Sequence, residues 1–265
     1  MTGKMIKLIV SDVDGTLVED GSGGVNPELF DVILKLREKG IQFAIASGRP
    51  WASVEGAFEP VKKKIFYIAN NGAYLGCHGR SLFVNPIEPE LVREVIEAVR
   101  RHPDLSAIYA GQDGDYMDSE NDALYRWMLE GYKFNIRRVK DVLALEDPCI
   151  KISIYKEQDV EHAAADIREA FQDRMKITLA GEMWMDCMAQ GVNKGQAVKR
   201  LQESLEIRPE ETMAFGDQLN DIEMLQQAYY SFAVANAREE VRKLARFQAD
   251  SNKNDGVLKV LKQLL

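Results

Sequence analysis

Short apolar runs alternate with helically spaced apolar residues in the first part of the chain. The apolar runs cover residues 7–11, 41–46 and 65–69. The first run has the length and the β-branched character of a strand that is buried on both faces, and the other two are further short apolar runs. Between the first two runs, Leu29, Val32 and Leu36 recur at helical spacing. This alternation predicts an α/β fold, with a Rossmann-like parallel sheet core and helices on both of its faces.

The pattern changes after Phe83 and returns at Asn193. The intervening segment has its own elements, among them a predicted helix at 88–101 and a predicted strand at 149–155. From residue 194 onward, helix and strand patterns alternate again as they do near the beginning of the chain. We therefore predict two domains. One α/β core comprises 1–83 and 187–265, and an inserted α/β domain comprises 84–186.

Acidic residues are concentrated in the inserted segment. The chain has a formal net charge of −8, and residues 84–186 contain 22 acidic and 13 basic residues, a net charge of −9. Nucleic-acid binding needs a basic surface, so no nucleic-acid partner is expected. No run approaches the roughly 20 apolar residues of a membrane span, and no secretory signal is recognisable, so we expect no membrane partner and a cytoplasmic location. Nothing in the sequence predicts the oligomeric state.

Polar residues follow the predicted strands, or begin a predicted helix, at four places. The four clusters are residues 11–16, 47–49, 193–195 and 216–221. Sites in parallel sheets lie at the carboxyl ends of the strands, so the clusters are expected to meet at one edge. Taken alone, the Asp-Val-Asp-Gly cluster also fits a solvated turn, and Lys194 also fits a surface lysine. The four clusters together favour a functional site. Cysteines and histidines are scattered without metal-ligand spacing, which leaves the chemistry to carboxylates and lysines.

These clusters resemble the motifs of the haloacid dehalogenase superfamily, and specifically of its Cof-type phosphatase branch. DVDGT, SGR, NNGA, NKG and GDxxNDxxM occur in family order, and the match covers nearly the whole chain. The insertion at 84–186 stands between the second and third motifs, where this branch carries a large cap. The resemblance implies that the inserted domain selects the substrate.

The resemblance also implies a role for each matching residue. Asp12 would be the nucleophile, Asp14 the general acid and base, and Lys194 the third catalytic residue. The implied substrate- and phosphate-binding residues are Ser47, Gly48, Arg49, Lys194 and Asn220. The implied metal ligands are Asp12, Asp217 and the backbone carbonyl of Asp14, with Asp221 in support.

Charge explains why a cation is expected beside these carboxylates. Two unit charges ~4 Å apart repel by about 4 kcal/mol at an effective dielectric constant near 20, so a carboxylate cluster cannot accept a phosphate unaided. An all-oxygen ligand set favours Mg²⁺. The predicted function is a Mg²⁺-dependent phosphatase that hydrolyses a small phosphorylated metabolite, such as a sugar phosphate, through an aspartyl phosphate on Asp12.

Two alternatives remain at this point. A phosphomutase or phosphotransferase of the same superfamily would share these residues but pass the phosphoryl group to a second hydroxyl. A non-catalytic phospho-acceptor or phosphate-binding regulator would also combine paired acids, a hydroxyl and a lysine on an α/β sheet. The GDQLND string and the inserted segment disfavour a regulator.

Overall fold

The computed structural model describes residues 5–19, 24–130 and 135–265. These residues form two compact units. The first contains the described residues up to Phe83 together with Asn193–Leu265, and the second contains those of Val84–Val192. The predicted domain boundary between 186 and 187 is wrong, because one strand, Trp184–Ala189, runs across it and pairs on both sides within the second unit.

The strands and helices are numbered along the chain. The strands are β1 (Leu8–Ser11), β2 (Gln42–Ala46), β3 (Phe66–Ala69), β4 (Tyr74–Cys77), β5 (Arg80–Val84), β6 (Ser106–Gly111), β7 (Asp115–Met117), β8 (Ile136–Arg138), β9 (Cys149–Tyr155), β10 (Met175–Ala180), β11 (Trp184–Ala189), β12 (Thr212–Gly216), β13 (Tyr230–Val234) and β14 (Phe247–Ala249). The α-helices are α1 (Pro27–Glu38), α2 (Trp51–Ala57), α3 (Pro89–Arg100), α4 (Asp122–Glu130), α5 (Val160–Ala163), α6 (Ala165–Phe171), α7 (Lys194–Leu205), α8 (Ile222–Gln226), α9 (Glu239–Leu244) and α10 (Gly256–Lys262).

The first unit is built on one sheet with the strand order β14-β13-β12-β1-β2-β3-β4-β5. The pairs from β14 to β3 are parallel. Successive side chains of a strand point to opposite faces, and Leu8, Ile9 and Val10 of β1 are all fully buried, so both faces of the sheet are covered. The predicted α/β class with a parallel core sheet is confirmed.

The edge formed by β4 and β5 departs from the predicted parallel pattern. β4 pairs antiparallel with β3, and β5 lies beyond β4 at the edge of the sheet. Between them, His78 and Gly79 have φ values of 55° and 71°, the left-handed backbone that a two-residue hairpin turn requires. The chain thus leaves the first unit through an antiparallel hairpin.

The second unit has a sheet with the strand order β10-β11-β9-β6-β7-β8, in which the pair β7–β8 is parallel and the other pairs are antiparallel. On one face, Ile152 and Ile154 of β9 belong to the same buried cluster as Val95 of α3. On the other face, a smaller cluster includes Met128 of α4 and Ile108 of β6. The second unit therefore has hydrophobic cores of its own.

Candidate active site

The strand order of the first unit brings four polar loops to one edge of its sheet. β12, β1, β2 and β3 are parallel neighbours, so their carboxyl ends point the same way. The residues that directly follow these strands are Asp217, Asp12, Ser47 and Asn70, in the same order. The Asp12 N–H still donates to the carbonyl oxygen of Phe215 in β12, at 3.0 Å, which fixes the backbone at Asp12.

Lys194 lies at the centre of a buried ion-pair cluster. It is the first residue of α7, and the preceding Asn193 caps the helix by accepting the N–H of Gln196 at 2.8 Å. The Nζ of Lys194 donates to Asp12 Oδ1 and to Asp221 Oδ1, both at 2.6 Å. Its side chain is only 1% exposed, so the interpretation of Lys194 as a surface lysine is wrong.

Burial and mutual repulsion shift the ionisation of these groups. Burial raises the pKa of Asp12 well above its usual value; Lys194 opposes this shift, while Asp221 and Asp217 add to it. Burial also raises the pKa of Asp217. Burial alone would lower the pKa of Lys194, but the carboxylates of Asp12 and Asp221 outweigh burial and raise it. The three carboxylates together carry more negative charge than one lysine balances.

Hydrogen bonds hold the other two carboxylates in place. Thr16 donates its hydroxyl to Asp217 Oδ1 at 2.7 Å. Asp221 Oδ2 accepts the backbone N–H groups of Asp217 and Gln218 at 2.9 and 3.0 Å. Gly15 has φ 82°, and a Cβ there would lie 2.3 Å from Asp217 Oδ2, so only glycine lets this loop approach Asp217.

The carboxylates fit a hard divalent cation. One carboxylate oxygen from each of Asp12, Asp217 and Asp221 can be chosen so that all three lie within 4.8 Å of one another, and all three residues are buried. Oxygen donors are the ligands that Mg²⁺ prefers. Both oxygens of Asp221 already accept hydrogen bonds from Lys194 or from backbone N–H groups, which favours a supporting role for Asp221 over direct ligation.

Asp14 has a different neighbour from the other acids. Arg49 Nε donates to Asp14 Oδ2 at 2.8 Å, and Arg49 Nη2 donates to Asp14 Oδ1. Both side chains are about one-third exposed, at 32% for Asp14 and 29% for Arg49. In this state, the guanidinium of the residue implied to bind phosphate is paired with the implied general acid.

The remaining implied phosphate-binding residues lie in two loops. Ser47 is fully buried, and its Oγ accepts the N–H of Arg49 at 3.1 Å. Asn220 is exposed and donates its Nδ2 to Asn71 Oδ1 at 3.0 Å. Thr16 and Asn71 lie within the DVDGT and NNGA motifs, but their contacts could not be predicted from the sequence.

Comparison with known proteins decides the family. A family model described as haloacid dehalogenase-like hydrolase matches residues 9–261. The chain belongs to this family. It is 29% identical to a 5-amino-6-(5-phospho-D-ribitylamino)uracil phosphatase of Escherichia coli, YbjI, over 98% of this chain and 96% of the relative. It is 27% identical to the phosphatase YwpJ of Bacillus subtilis, over 98% of this chain and 100% of that protein.

A solved structure agrees with this assignment. A protein from Eubacterium rectale is 35% identical, superimposes with a TM-score of 0.92, and matches over 98% of this chain and 100% of its own. The expected membership of the haloacid dehalogenase superfamily and the expected phosphatase type of enzyme are therefore confirmed. In the part of the chain that the structure describes, no helix combines the length and apolar character needed to cross a bilayer.

Proposed function

We propose that this haloacid dehalogenase-like phosphatase hydrolyses small phosphate monoesters through a covalent phosphoryl group on Asp12. The observation that supports this proposal most directly is the hydrogen bond between the side chains of Lys194 and Asp12. Lys194 donates to Oδ1 of Asp12 and to Oδ1 of Asp221, both at 2.6 Å. The lysine thus holds the orientation of the Asp12 carboxylate, and Oδ2 is the proposed attacking oxygen.

The proposed reaction has two steps. In the first, Asp12 Oδ2 forms a bond to phosphorus, the bond from phosphorus to the ester oxygen breaks, and Asp14 gives that oxygen a proton. In the second, Asp14 takes a proton from the water that attacks phosphorus, and the Asp12 carboxylate is released. Because Arg49 holds Asp14 with two hydrogen bonds, Asp14 must exchange this partner for the leaving oxygen.

Charge neutralisation would be shared between the protein and a bound ion. Mg²⁺, held by the side chains of Asp12 and Asp217 and the backbone carbonyl of Asp14, would offset the negative charge of the phosphoryl oxygens. Lys194 supplies the buried positive charge of the protein itself. Ser47, the Gly48 backbone, Arg49 and Asn220 are the proposed donors to the remaining phosphoryl oxygens.

The decisive experiment measures release of inorganic phosphate from a set of monoesters, with Mg²⁺ and after exhaustive chelation. The set should contain hexose phosphates, p-nitrophenyl phosphate and a phosphorylated ribitylaminopyrimidine, the last because of the name of the Escherichia coli relative. We expect hydrolysis that chelation abolishes and Mg²⁺ restores. Absence of phosphate release from every ester, or full activity in chelator, would contradict the proposal. A phosphomutase would need an acceptor and release little phosphate without one.

We also propose that the second unit selects the substrate, favouring monophosphates with many hydroxyl groups. The supporting observation is its net charge: residues 84–192 hold 22 acidic and 13 basic residues, whereas the rest of the chain has a net charge of +1. Carboxylates accept hydrogen bonds from hydroxyls and repel a second phosphate. The test compares kcat/KM for a hexose monophosphate and the matching bisphosphate at low and at moderate salt. Preference for the bisphosphate at low salt would exclude this selection.

A further inference from the structure

Asn71 lies in a run of three left-handed residues directly after β3. Asn70, Asn71 and Gly72 have φ values of 47°, 54° and 100°. This backbone is unfavourable for most residues that carry a side chain, and asparagine tolerates it better than most. Retained strain of this kind concentrates at functional sites. The left-handed backbone at Asn71 therefore favours a functional role for its side chain.

Asn71 connects two loops that carry proposed phosphate donors. Its backbone N–H donates to the carbonyl oxygen of Ser47 at 3.0 Å. Its side-chain Oδ1 accepts a hydrogen bond from Asn220 Nδ2, also at 3.0 Å. The same amide lies against Gly48, because a Cβ built on Gly48 would be 3.3 Å from Asn71 Oδ1. One residue thus touches the loop after β2 and the loop after β12.

The hydrogen bond between Asn71 and Asn220 restricts the orientation of the Asn220 amide. Asn220 is exposed, and an exposed side chain without a partner samples several rotamers. When one Nδ2 hydrogen points to Asn71, the amide plane is fixed and the second Nδ2 hydrogen can donate to a ligand. Donors that are ordered before binding bind more tightly, because the ligand does not have to order them.

We infer that Asn71 is a positioning residue, which orients the Asn220 amide and the Ser47 loop toward phosphoryl oxygens without contacting the phosphate itself. The inference rests on the proposed function. It adds a residue of the NNGA motif to the phosphate-binding apparatus and gives that residue a task distinct from catalysis.

The test is a double-mutant cycle of Asn71→Gly, Asn220→Ala and the double variant. Glycine adopts the left-handed backbone freely, so Asn71→Gly removes the side chain and preserves the N–H bond to Ser47. We expect each single variant to raise the inhibition constant of inorganic phosphate and to lower kcat/KM for p-nitrophenyl phosphate, by roughly fivefold to tenfold. The double variant should be no worse than Asn220→Ala alone, since the two residues act as one unit.

A matched control separates positioning from general effects of the substitution. Glu206 is exposed, has φ 54°, and ends α7 at the opposite end from Lys194, so Glu206→Gly makes the same backbone change away from the site. We expect this control to leave both constants unchanged. Additive losses in the double variant would overturn the inference. So would a phosphate inhibition constant of Asn71→Gly equal to that of the wild type, even with a lowered Tm.

Failure of the proposed function would give a different result. If the wild type released no phosphate from any ester, hydrolysis would be excluded, while calorimetric binding of inorganic phosphate with Mg²⁺ would still compare the same variants. Weaker phosphate binding by Asn71→Gly would then support the positioning role. Unchanged phosphate binding would overturn it.

Discussion

The two units of the molecule use charge in different ways. The second unit carries the negative net charge, but many of its acids are paired near the surface, as Asp118 is with Arg100 and Asp122 is with Arg138. The first unit is nearly neutral overall, yet it buries three carboxylates around one lysine. Net charge thus does not mark the candidate site in this chain; the buried carboxylates, which one lysine balances only in part, do.

Sheet topology explains why the buried cluster formed in the first unit. Carboxyl ends of parallel strands share one edge, so the loops after β12, β1, β2 and β3 must be neighbours. In the mostly antiparallel second sheet, carboxyl ends alternate between edges, and successive loops are kept apart. Among the described residues of the second unit, the buried acidic and basic side chains are Lys151, Asp186 and Asp115, which lie within strands rather than in loops.

The largest expected effect tests whether the buried carboxylates of the first unit take part in the reaction and those of the second unit do not. Asp12→Asn should lower kcat by at least about a thousandfold with Tm nearly unchanged, because an amide cannot attack phosphorus. Asp186→Asn removes a buried carboxylate from the second unit and should leave turnover of p-nitrophenyl phosphate within a few-fold of wild type. Both rates can be measured from steady-state release of p-nitrophenolate. An Asp12→Asn variant that retained more than about a tenth of wild-type turnover would remove Asp12 from the mechanism.

The next effect concerns stability. Lys194→Met leaves two buried carboxylates without their cation, and we expect a loss of about 3–5 kcal/mol in the free energy of unfolding. Lys151→Met should cost only about 1–3 kcal/mol, because the Nζ–oxygen distance to Asp186 is 3.4 Å and Ser153 also donates to Asp186. Urea unfolding at pH 7 in the presence of chelator measures both. An equal or larger loss for Lys151→Met would contradict the comparison.

The sequence predicted which residues lie together in the candidate site better than it predicted the contacts of their side chains. Asp12, Asp217 and Lys194 could be identified from motifs because each motif lies at the end of an apolar run or at a helix start. The pairing of Arg49 with Asp14 depends on the directions of side chains in two separate loops. No local sequence pattern predicts those directions. Asn71 stood in a recognised motif, but its bond to Asn220 joins residues 149 positions apart.

In the fold, too, the elements that depend on local sequence were predicted better than those that depend on pairing between distant segments. Runs such as 41–46 are strongly apolar and predicted their strands well. The hairpin of β4 and β5 was missed because Arg80–Val84 is only partly buried and carries a weak pattern. The boundary at 186 was misplaced because strand pairing, rather than composition, assigns β11 to the second unit.

A smaller, pH-dependent effect is expected in the second unit. Burial, with a contribution from Asp147 and opposed by Lys151, raises the pKa of Asp115 to about 6 from a usual 3.8. The folded protein therefore binds this proton more tightly than the unfolded chain, so the free energy of unfolding contributed by Asp115 falls as the pH rises from about 4 to about 6. Asp115→Asn should remove this decline and stabilise the protein above pH 6, by up to roughly 3 kcal/mol.

The measurement is urea unfolding of wild type and Asp115→Asn between pH 4 and pH 8. The difference between the free energies of unfolding of the two proteins should increase from about pH 4 to about pH 6 and then stay constant. A difference that does not depend on pH would show that Asp115 is ionised in the folded protein throughout this range.

The smallest effect concerns the exposed pair in the first unit. Arg49→Lys preserves the positive charge but cannot make the two parallel hydrogen bonds to Asp14. Because both side chains are about one-third exposed, we expect a change in kcat/KM of only roughly fivefold or less and no measurable change in Tm. A loss comparable to that of Asp12→Asn would give Arg49 a place in the chemical step.

The central position of β1 has a consequence for synthesis of the chain. β1 pairs with β2 on one side and with β12 on the other, and Thr16 meets Asp217 across 201 positions. A nascent chain that has reached residue 192 holds every strand of the second unit, while β1 still exposes an unpaired edge. We expect proteolysis of ribosome-bound chains stalled beyond this point to spare 84–192 and to cut within the first 83 residues; the reverse pattern would refute this order. The proposed activity would then be the last property that the growing protein acquires, long after Asp12 has left the ribosome.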